Sequence, residues 1–203
     1  MSETPEQFYE RVVGSIRRPD LEEWDTWPFQ GDMRPRVLER PSPTDVSRAG
    51  KGGVGCDGCE IPDERFLWTN ANWRVRPTNE PSGLPLVLFL EPRLHVGEPG
   101  DLPDDLAAEF GVMVGRIDRA MSSIDGVERV HVGRWGEGSE HLHWWFFARP
   151  SRMLQLASSF AEIWDDMLPP TPEDVWQANL QHVKSVLEAE SRVRDDSGRE
   201  PHV

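Results

Sequence analysis

Apolar residues recur at helical spacing in the middle of the chain, and this is the clearest pattern in the sequence. The steps between them are four, three, four and four residues, which places them on one face of an α-helix. We expect the helix to begin after an N-cap at Asp101, with Pro103 in its first turn, and to end at Asp125 and Gly126. The residues of this face are Leu106, Phe110, Met113, Ile117 and Met121.

Four apolar segments have the composition of β-strands. Residues 66–75 and 84–90 are rich in aromatic and branched side chains and are bounded by proline and glycine. Residues 127–133 and 141–147 have the same character and are separated by a glycine-rich turn. Segment 84–90, LPLVLFL, is apolar on both faces and is therefore expected to be a central strand. Together with the helix, these segments predict one domain of mixed sheet and helix.

The pattern becomes helical again after Pro150. One helix is expected over 154–164, and a second runs from a start signal at Thr171 through Leu187. The residues after 190 are polar and are expected to fray. The predicted organisation is an N-terminal extension and linker at 1–54, a main domain at 55–150, a helical addition at 151–190 and a polar tail at 191–203.

The N-terminal extension carries the large aromatic side chains Trp24, Trp27 and Phe29 within a few residues of one another. Aromatic area of this size is costly to leave in water, so we expect the segment to pack on the domain or on a partner. The stretch that follows, PSPTDVSRAGKGGVG, is rich in turn-forming residues and has no apolar period, which is typical of a linker.

The charge balance limits the classes of partner. The chain of 203 residues has 22 Lys and Arg against 36 Asp and Glu, a formal net charge of -14. This excess disfavours general binding to nucleic acid or to anionic lipid, so any anionic ligand must be held by a local site. No stretch approaches the roughly 20 apolar residues of a membrane helix, and the first residues lack the pattern of a secretory signal. We therefore expect a cytoplasmic protein.

The two cysteines of the chain form a Cys-x-x-Cys pair, Cys56 and Cys59. Such a pair is not the framework of a disulfide-stapled secreted domain and indicates a metal site or a redox dithiol. A redox dithiol of the thioredoxin type requires the second cysteine to enter a helix, which the following residues, EIP, do not favour. A tetrahedral zinc site needs two further ligands, for which His95 and a His-x-His segment are candidates.

The His-x-His segment is the densest chemical signal, in the sequence EHLHWW at 140–145. Because side chains alternate along a strand, His141 and His143 are expected on the same face, followed by Trp145. One imidazole can then bind a metal while the other stays free as a nucleophile or base. The alternative is that two histidines merely lie at a strand edge.

The order of these features resembles the histidine triad superfamily, and specifically its zinc-containing branch with galactose-1-phosphate uridylyltransferase. The resemblance covers about residues 56–150, from the Cys-x-x-Cys pair through a strand pair, a helix and a strand to the His-x-His strand. It implies an α+β fold of the histidine triad-like (HIT-like) type, an antiparallel sheet with a long helix packed on it, followed here by C-terminal helices. It also implies a homodimer that pairs through an edge strand and a helix.

The resemblance further implies roles for individual residues. His143 matches the nucleophile that attacks the α-phosphorus of a nucleotide in that family. A structural zinc ion would be the cofactor, and the positions that match its ligands are Cys56, Cys59, His95 and His141.

Several positions near the motif depart from the family pattern. The third triad position, a histidine or a glutamine in the family, is Trp145 here, and Gly138 aligns where a serine is expected. Ser139 and Glu140 are the candidates to act with His143 in catalysis. The candidates for substrate binding are Arg134, which could replace lost phosphate contacts, Trp145 and Arg149. Further arginines that flank the strands and could grip a phosphate are Arg74, Arg76, Arg93 and Arg152.

Three functions are compatible with these residues. The first is a HIT-like nucleotidyl or phosphoryl hydrolase or transferase that acts on a nucleotide or another phosphorylated small molecule. The second is a repurposed enzyme for a non-nucleotide metabolite, with His143 as general base and Glu140 or Glu137 as the second acid or base. The third is a catalytically inactive, zinc-stabilised binding protein.

Overall fold

The computed structural model describes residues 40–157 and 159–197, together with residues 10, 13, 27, 29 and 31. The predictions for Trp24 and for 198–203 lie outside the described residues. None of the described helices is long and apolar enough to cross a membrane. The strands are β1 Trp68–Thr69, β2 Trp73–Pro77, β3 Val87–Pro92, β4 Val127–Gly133 and β5 Trp144–Pro150, and the helices are α1 Asp57–Glu60, α2 Asp104–Ser122, α3 Ala161–Met167 and α4 Glu173–Ser197.

The five strands form one antiparallel sheet in the order β1-β2-β3-β5-β4. β3 lies at its centre, and every residue of β3 is buried, as the apolar sequence predicts. The single strand predicted over 66–75 is wrong, because this stretch is the hairpin of β1 and β2. Asn70 turns the chain between them, since its side-chain oxygen accepts hydrogen bonds from the N–H groups of Asn72 and Trp73.

The strand that follows the His-x-His segment begins at Trp144, later than the predicted start at residue 141. The N–H of Leu142 donates to the carbonyl oxygen of Val96 over 2.8 Å, so the residues before Trp144 pair with the loop after β3. Within β5 the side chains alternate as expected. Trp144 stacks on Phe110 of α2 at 4.0 Å between ring centroids, and Phe147 faces the other side of the sheet.

The long helix α2 covers one face of the sheet and buries Met113 and Ile117 in the main core. The predicted N-cap at Asp101 is wrong, because the helix begins at Asp104 and Pro103 is its cap residue. Asp101 instead closes a short 3-10 turn, where its carboxylate accepts the N–H of Glu98. The turn predicted at Asp125 and Gly126 follows the helix.

The C-terminal helix α4 packs beside α2 on the same face of the sheet. Arg116 of α2, 5% exposed, donates to the carbonyl oxygen of Leu187 over 3.0 Å and to the hydroxyl of Ser191 over 2.7 Å. α4 continues to Ser197, so the helix runs past the point where the sequence predicts fraying.

The opposite face of the sheet carries a second, smaller core beneath α3. Its buried residues are Leu84, Val87, Phe147 and Leu156. The single helix predicted over 154–164 is wrong, since Leu154–Leu156 form a 3-10 turn and α3 begins only at Ala161. Asp165 fastens α3 to the sheet, because its carboxylate accepts the N–H of Leu84 over 2.7 Å.

The N-terminal extension reaches this second face through Trp27. The Trp27 ring packs edge-on against Phe160, just before α3, at 4.8 Å between centroids. Phe29 contacts Trp27 at 5.5 Å and remains 42% exposed. The predicted packing of the aromatic extension is therefore confirmed at Trp27.

Candidate functional site

The Cys-x-x-Cys pair lies on a single helical turn. α1 closes when the N–H groups of Cys59 and Glu60 donate to the carbonyl oxygen of Cys56, over 2.9 and 3.0 Å. The chain is extended again at Ile61, so Cys59 does not enter the longer helix that a thioredoxin-type dithiol requires. Both cysteines are free thiols.

The fold brings all four predicted metal ligands together. One ligand atom from each of Cys56, Cys59, His95 and His141 lies within 4.8 Å of the others. His141 Nδ1 is 3.4 Å from the sulfur of Cys56 and 3.5 Å from that of Cys59, and His95 Nδ1 is 3.4 Å from the sulfur of Cys59. Two thiols and two imidazoles in this arrangement match a closed tetrahedral zinc site.

A hydrogen bond orients the candidate ligand His141, and a carboxylate faces the candidate ligand His95. His141 Nε2 donates to the carbonyl oxygen of Pro92 over 2.9 Å, which leaves its Nδ1 as the lone-pair nitrogen toward the cysteines. Burial lowers the pKa of His141, and so favours the neutral ring that a metal requires. His95 Nε2 lies 3.8 Å from the carboxylate of Glu140, again with Nδ1 toward a sulfur.

The charge state of the thiols also fits a cation. Burial first, and then the neighbouring Cys56, raise the pKa of the Cys59 thiol to about 11. Two adjacent thiolates repel each other, and a bound cation would stabilise both.

The glycine between the cysteines permits the close approach of His141. A Cβ atom built on Gly58 would lie 2.7 Å from Cγ of the His141 ring, far inside contact distance. A larger residue would push the cysteine turn away from the histidine.

A buried ion pair fastens the cysteine turn to the sheet. Arg74, 4% exposed, donates both to the carbonyl oxygen of Gly58 and, over 2.9 Å, to the carboxylate of Glu91, which is 1% exposed. Arg76 donates to the other oxygen of Glu91 over 3.1 Å. β2 and β3 pair Arg74 directly with Glu91, so the sheet register creates this network. Arg74, which the sequence suggested for phosphate binding, therefore stabilises the fold through these two partners.

His143 lies beside the cluster but is held differently from His141. Its Nδ1 donates to the carbonyl oxygen of His141 over 2.8 Å, which leaves the Nε2 lone pair free. The ring is half-buried, with its centroid 6.1 Å from that of Phe89 and 6.4 Å from that of Trp145.

The two other predicted catalytic residues accept hydrogen bonds from backbone N–H groups. Glu140 accepts the N–H of Gly52 over 2.9 Å and faces His95. The hydroxyl of Ser139 accepts the N–H of His141 over 3.3 Å. Both side chains therefore support the segment that carries the histidines.

The predicted substrate-binding arginines are engaged by other partners. Arg134 pairs with Glu98 over 2.7 Å and donates to the carbonyl oxygen of Gly97 over 2.9 Å. Arg149 is 7% exposed and donates to the carbonyl oxygen of Pro150. It follows His143 by about 20 Å along the extended chain, at about 3.3 Å per residue.

The third predicted substrate-binding residue, Trp145, belongs to an aromatic cluster. Its ring packs edge-on against Phe89 at 4.3 Å and lies parallel to Phe147 at 5.6 Å between centroids. Trp135 closes the cluster from the loop after β4, 6.1 Å from Trp145. Sequence reasoning missed Trp135, although an aromatic residue within a glycine-rich turn was a signal.

No protein-family model matches the sequence, and no curated protein matches it either. Among solved structures, a zinc-bound histidine triad family protein from Mycobacterium smegmatis shares 14% identity, with 69% of this chain and 98% of that chain covered and a TM-score of 0.50. A histidine triad protein from Bradyrhizobium japonicum shares 21% identity over 61% of this chain and 87% of that chain, with a TM-score of 0.48. A uridylyltransferase shares 16% identity over 69% of this chain and 47% of that chain, also with a TM-score of 0.48.

The similarity to the Mycobacterium smegmatis protein shows the fold of this chain. The five-stranded antiparallel sheet with a long helix on one face is of the HIT-like type, as the resemblance implied.

Proposed function

We propose that this chain is a HIT-like nucleotidyl or phosphoryl hydrolase or transferase with His143 as nucleophile and a structural zinc ion. The observation that carries the proposal is the hydrogen bond of 2.8 Å from His143 Nδ1 to the carbonyl oxygen of His141. It holds the proton on Nδ1 and leaves the lone pair of Nε2 free to act as a nucleophile. The substrate is a nucleotide or another phosphorylated small molecule.

The reaction would proceed in two displacements at phosphorus. In the first, the Nε2 lone pair of His143 forms an N–P bond, and the leaving oxygen departs with the electron pair of its P–O bond and takes a proton from solvent. In the second, water or an acceptor hydroxyl attacks phosphorus and loses a proton to solvent. The N–P bond then breaks, and its electron pair returns to Nε2.

The backbone contact of His143 would also stabilise the intermediate. Once Nε2 is bonded to phosphorus, the imidazole ring carries a positive charge. A carbonyl oxygen that already accepts the Nδ1 proton forms a stronger hydrogen bond to the charged ring. The carbonyl of His141 is in that position before the reaction begins.

Arg76 is the guanidinium that we assign to the phosphate. Its Cζ lies 4.3 Å above the ring of Phe89, and that ring is 6.1 Å from the ring of His143. Only its Nε atom is engaged by the described residues, in the bond to Glu91, so the two Nη groups can donate to a ligand. Arg134 and Arg149 already donate to other partners.

The metal would have a structural role. Cys56, Cys59, His95 and His141 complete a four-ligand set, and a zinc ion bound there would cross-link three separate segments of the chain. One of these segments carries His141, two residues before His143. The residues of the cluster would therefore hold the nucleophile in position without taking part in its chemistry.

A repurposed enzyme for a non-nucleotide metabolite is the second candidate. Trp145, which occupies the third triad position, offers a single N–H donor where the family has an imidazole or an amide. In this case Nε2 of His143 would act as a general base, and no covalent adduct would form.

The test replaces His143 by Gln and assays a panel of nucleotides, sugar nucleotides and other phosphate esters. We expect loss of turnover of any substrate that the wild type accepts, with zinc content and melting temperature unchanged. Mass spectrometry that avoids acid should detect a phosphorylated or nucleotidylated imidazole in the wild type. His182→Gln is the matched control, because His182 contacts Ser123 at the far end of α2.

Two results would decide against the proposal. Turnover that is lost in His143→Gln without any adduct in the wild type favours the general-base enzyme. Turnover that is equal in His143→Gln and in the wild type rejects both enzymes and leaves a zinc-stabilised binding protein.

A further inference from the structure

Three aromatic rings, one of which is Trp145 next to His143, form two sides of a corner. Trp145 and Phe147 lie side by side with an angle of 6° between their planes. Trp135 stands nearly perpendicular to both, at 83° to Trp145 and 82° to Phe147, with centroids 6.1 and 6.2 Å away. We call these three residues the aromatic corner.

A cavity opens against the aromatic corner from the side of α3. Its volume is about 250 Å³, and it is lined by the corner together with Glu162, Ile163, Asp165 and Asp166. A second cavity of about 490 Å³ shares Trp135, Phe147 and Glu162 and extends to His131 on β4. The aromatic corner and the carboxylates of α3 therefore line the same cavity.

The charged side chains that line these cavities are of one sign. Among the described residues that line them, three are carboxylates and none is lysine or arginine. Burial first, and then the charges of Arg149 and Arg129, lower the pKa of His131 and favour its neutral form. The ring of His131 therefore supplies no positive charge to the cavity, although these two arginines lie near it.

Glu162 is the carboxylate available to a ligand. None of the described residues forms a hydrogen bond or an ion pair with its side chain, and burial raises its pKa, as expected for a carboxylate without a partner. Asp165 differs, because its carboxylate already accepts the N–H of Leu84.

We propose that the aromatic corner, with Glu162, binds the alkylammonium group of a small organic cation. Aromatic faces attract cations through their negative π-surfaces, and this attraction grows when the site is partly desolvated. An anionic group would be repelled by the carboxylates, and a neutral ring would leave Glu162 without a counter-ion. The corner and Glu162 together therefore favour a cation over both alternatives.

The position of the corner suggests the class of substrate, an inference that rests on the proposed function. The ring of Trp145 is 6.4 Å from that of His143. Phe89 packs against Trp145, and Arg76 lies over the ring of Phe89. One small molecule could place a phosphoryl group at His143 and an ammonium group in the corner. A phosphate ester of an amino alcohol has this chemistry.

The test titrates the full chain with choline and with its neutral carbon isostere, 3,3-dimethylbutan-1-ol, by calorimetry. The two probes have the same shape and differ in charge, so the comparison isolates the cation. We expect choline to bind at least about fivefold more tightly, as expected for cation–π attraction in a partly desolvated site. Equal binding of the two probes, or no binding of choline, overturns the proposal.

Variants then assign the binding to the corner. Trp135 is 48% exposed, so Trp135→Leu should fold. We expect it to weaken choline binding at least about fivefold, whereas Trp135→Phe keeps a π-face and should weaken it less. Glu162→Gln should also weaken binding, and Glu128→Gln, an exposed carboxylate on β4, is its control. Choline affinity unchanged in both Trp135→Leu and Glu162→Gln would place the cation elsewhere and reject the corner.

The same titration in His143→Gln separates this inference from the proposed function. The corner does not include His143, so choline should bind this variant with unchanged affinity. Absence of an imidazole adduct would reject the nucleophile while leaving choline binding intact. Absence of choline binding would reject the corner while leaving the adduct intact.

Discussion

His141 and His143 present different ring nitrogens because each donates a hydrogen bond to a different backbone carbonyl. His141 donates from Nε2 to Pro92 and leaves Nδ1 toward the cysteines, whereas His143 donates from Nδ1 to His141 itself and leaves Nε2 free. Two identical side chains two residues apart are thereby assigned to different tasks. One is suited to hold a metal and the other to attack a substrate.

Zinc content tests the first of these tasks. We expect about one zinc ion per chain in the wild type, from the four-ligand set of a structural site. The double substitution Cys56→Ser and Cys59→Ser should abolish it, and His143→Gln should retain it. Elemental analysis of the purified proteins makes the measurement. Equal zinc in the wild type and the double variant would show that the metal binds elsewhere.

Loss of the metal should reduce stability more than it changes the chemistry at His143. A chelator that removes zinc should lower the melting temperature, because the ion cross-links segments that are distant in sequence. Molecules that remain folded should still form the His143 adduct when substrate is added. An adduct that disappears before the protein unfolds would indicate a catalytic metal instead.

Arg74→Met tests the attachment of the cysteine turn. The change leaves the buried carboxylate of Glu91 with Arg76 as its remaining partner, so we expect a loss of about 3 kcal/mol in the free energy of unfolding. Urea denaturation measures this loss. Arg119→Met is the control, since Arg119 is an exposed arginine of α2 that pairs with Glu190.

The double variant Arg74→Met and Glu91→Met separates charge from packing. Removing both charges should recover part of the lost stability, because no carboxylate is then left buried without its partner. A double variant less stable than Arg74→Met would show that Glu91 has a role beyond this pair.

Glu162 should make the protein less stable as the pH rises. Burial raises the pKa of this carboxyl in the folded protein above its ordinary value of 4.5. At pH values between the ordinary pKa and the folded pKa, the folded protein therefore binds more protons than the unfolded protein. The contribution of Glu162 to stability is present below pH 4.5 and is lost as the pH rises through the folded pKa. Glu162→Gln should therefore be more stable than the wild type at neutral pH.

Denaturation at acid and neutral pH checks this expectation. The stability difference between Glu162→Gln and the wild type should vanish in acid, where both side chains are uncharged. Glu128→Gln, on an exposed position, should show no comparable change with pH. A Glu162→Gln variant less stable than the wild type at neutral pH would mean that the carboxylate has a stabilising partner.

Trp27 should anchor the N-terminal extension. Trp27→Ala removes the edge-on contact with Phe160, and we expect faster proteolysis between residues 20 and 30 with the domain still folded. Limited proteolysis followed by mass spectrometry gives the rates. Phe29→Ala should have a smaller effect, because Phe29 is 42% exposed. Equal cleavage rates in Trp27→Ala and the wild type would contradict the anchoring role.

Local patterns in the sequence predicted the elements of the fold but not all of their ends. The apolar run of β3 and the spacing along α2 are strong signals, and both elements are present. Two of the errors occurred where a single hydrogen bond competes with the pattern. Asn70 divides one predicted strand into two, and Leu142 delays β5 by pairing with Val96. Such bonds involve single atoms, which periodicity does not register.

The candidate metal site was predictable because its ligands are uncommon residues in a short motif. Cys56 and Cys59 are the two cysteines of the chain, and the His-x-His segment is similarly distinctive. The arginines carried no such signal. The sequence did not distinguish Arg74 from Arg76. The pairing of β2 with β3 buries Arg74 against the cysteine turn and leaves the Nη groups of Arg76 open to a ligand.

The sequence by itself thus determined which side chains could bind a metal, which could attack phosphorus, and which segments form the sheet and the long helix. Only the tertiary structure decided that Trp135 meets Trp145 and Phe147, and that Glu162 of α3 faces the same cavity. The physical reason is that residue chemistry and short-range periodicity are local properties of the chain. The contacts of the corner depend on strand register and on how α3 covers the sheet, which are settled by packing across long sequence separations.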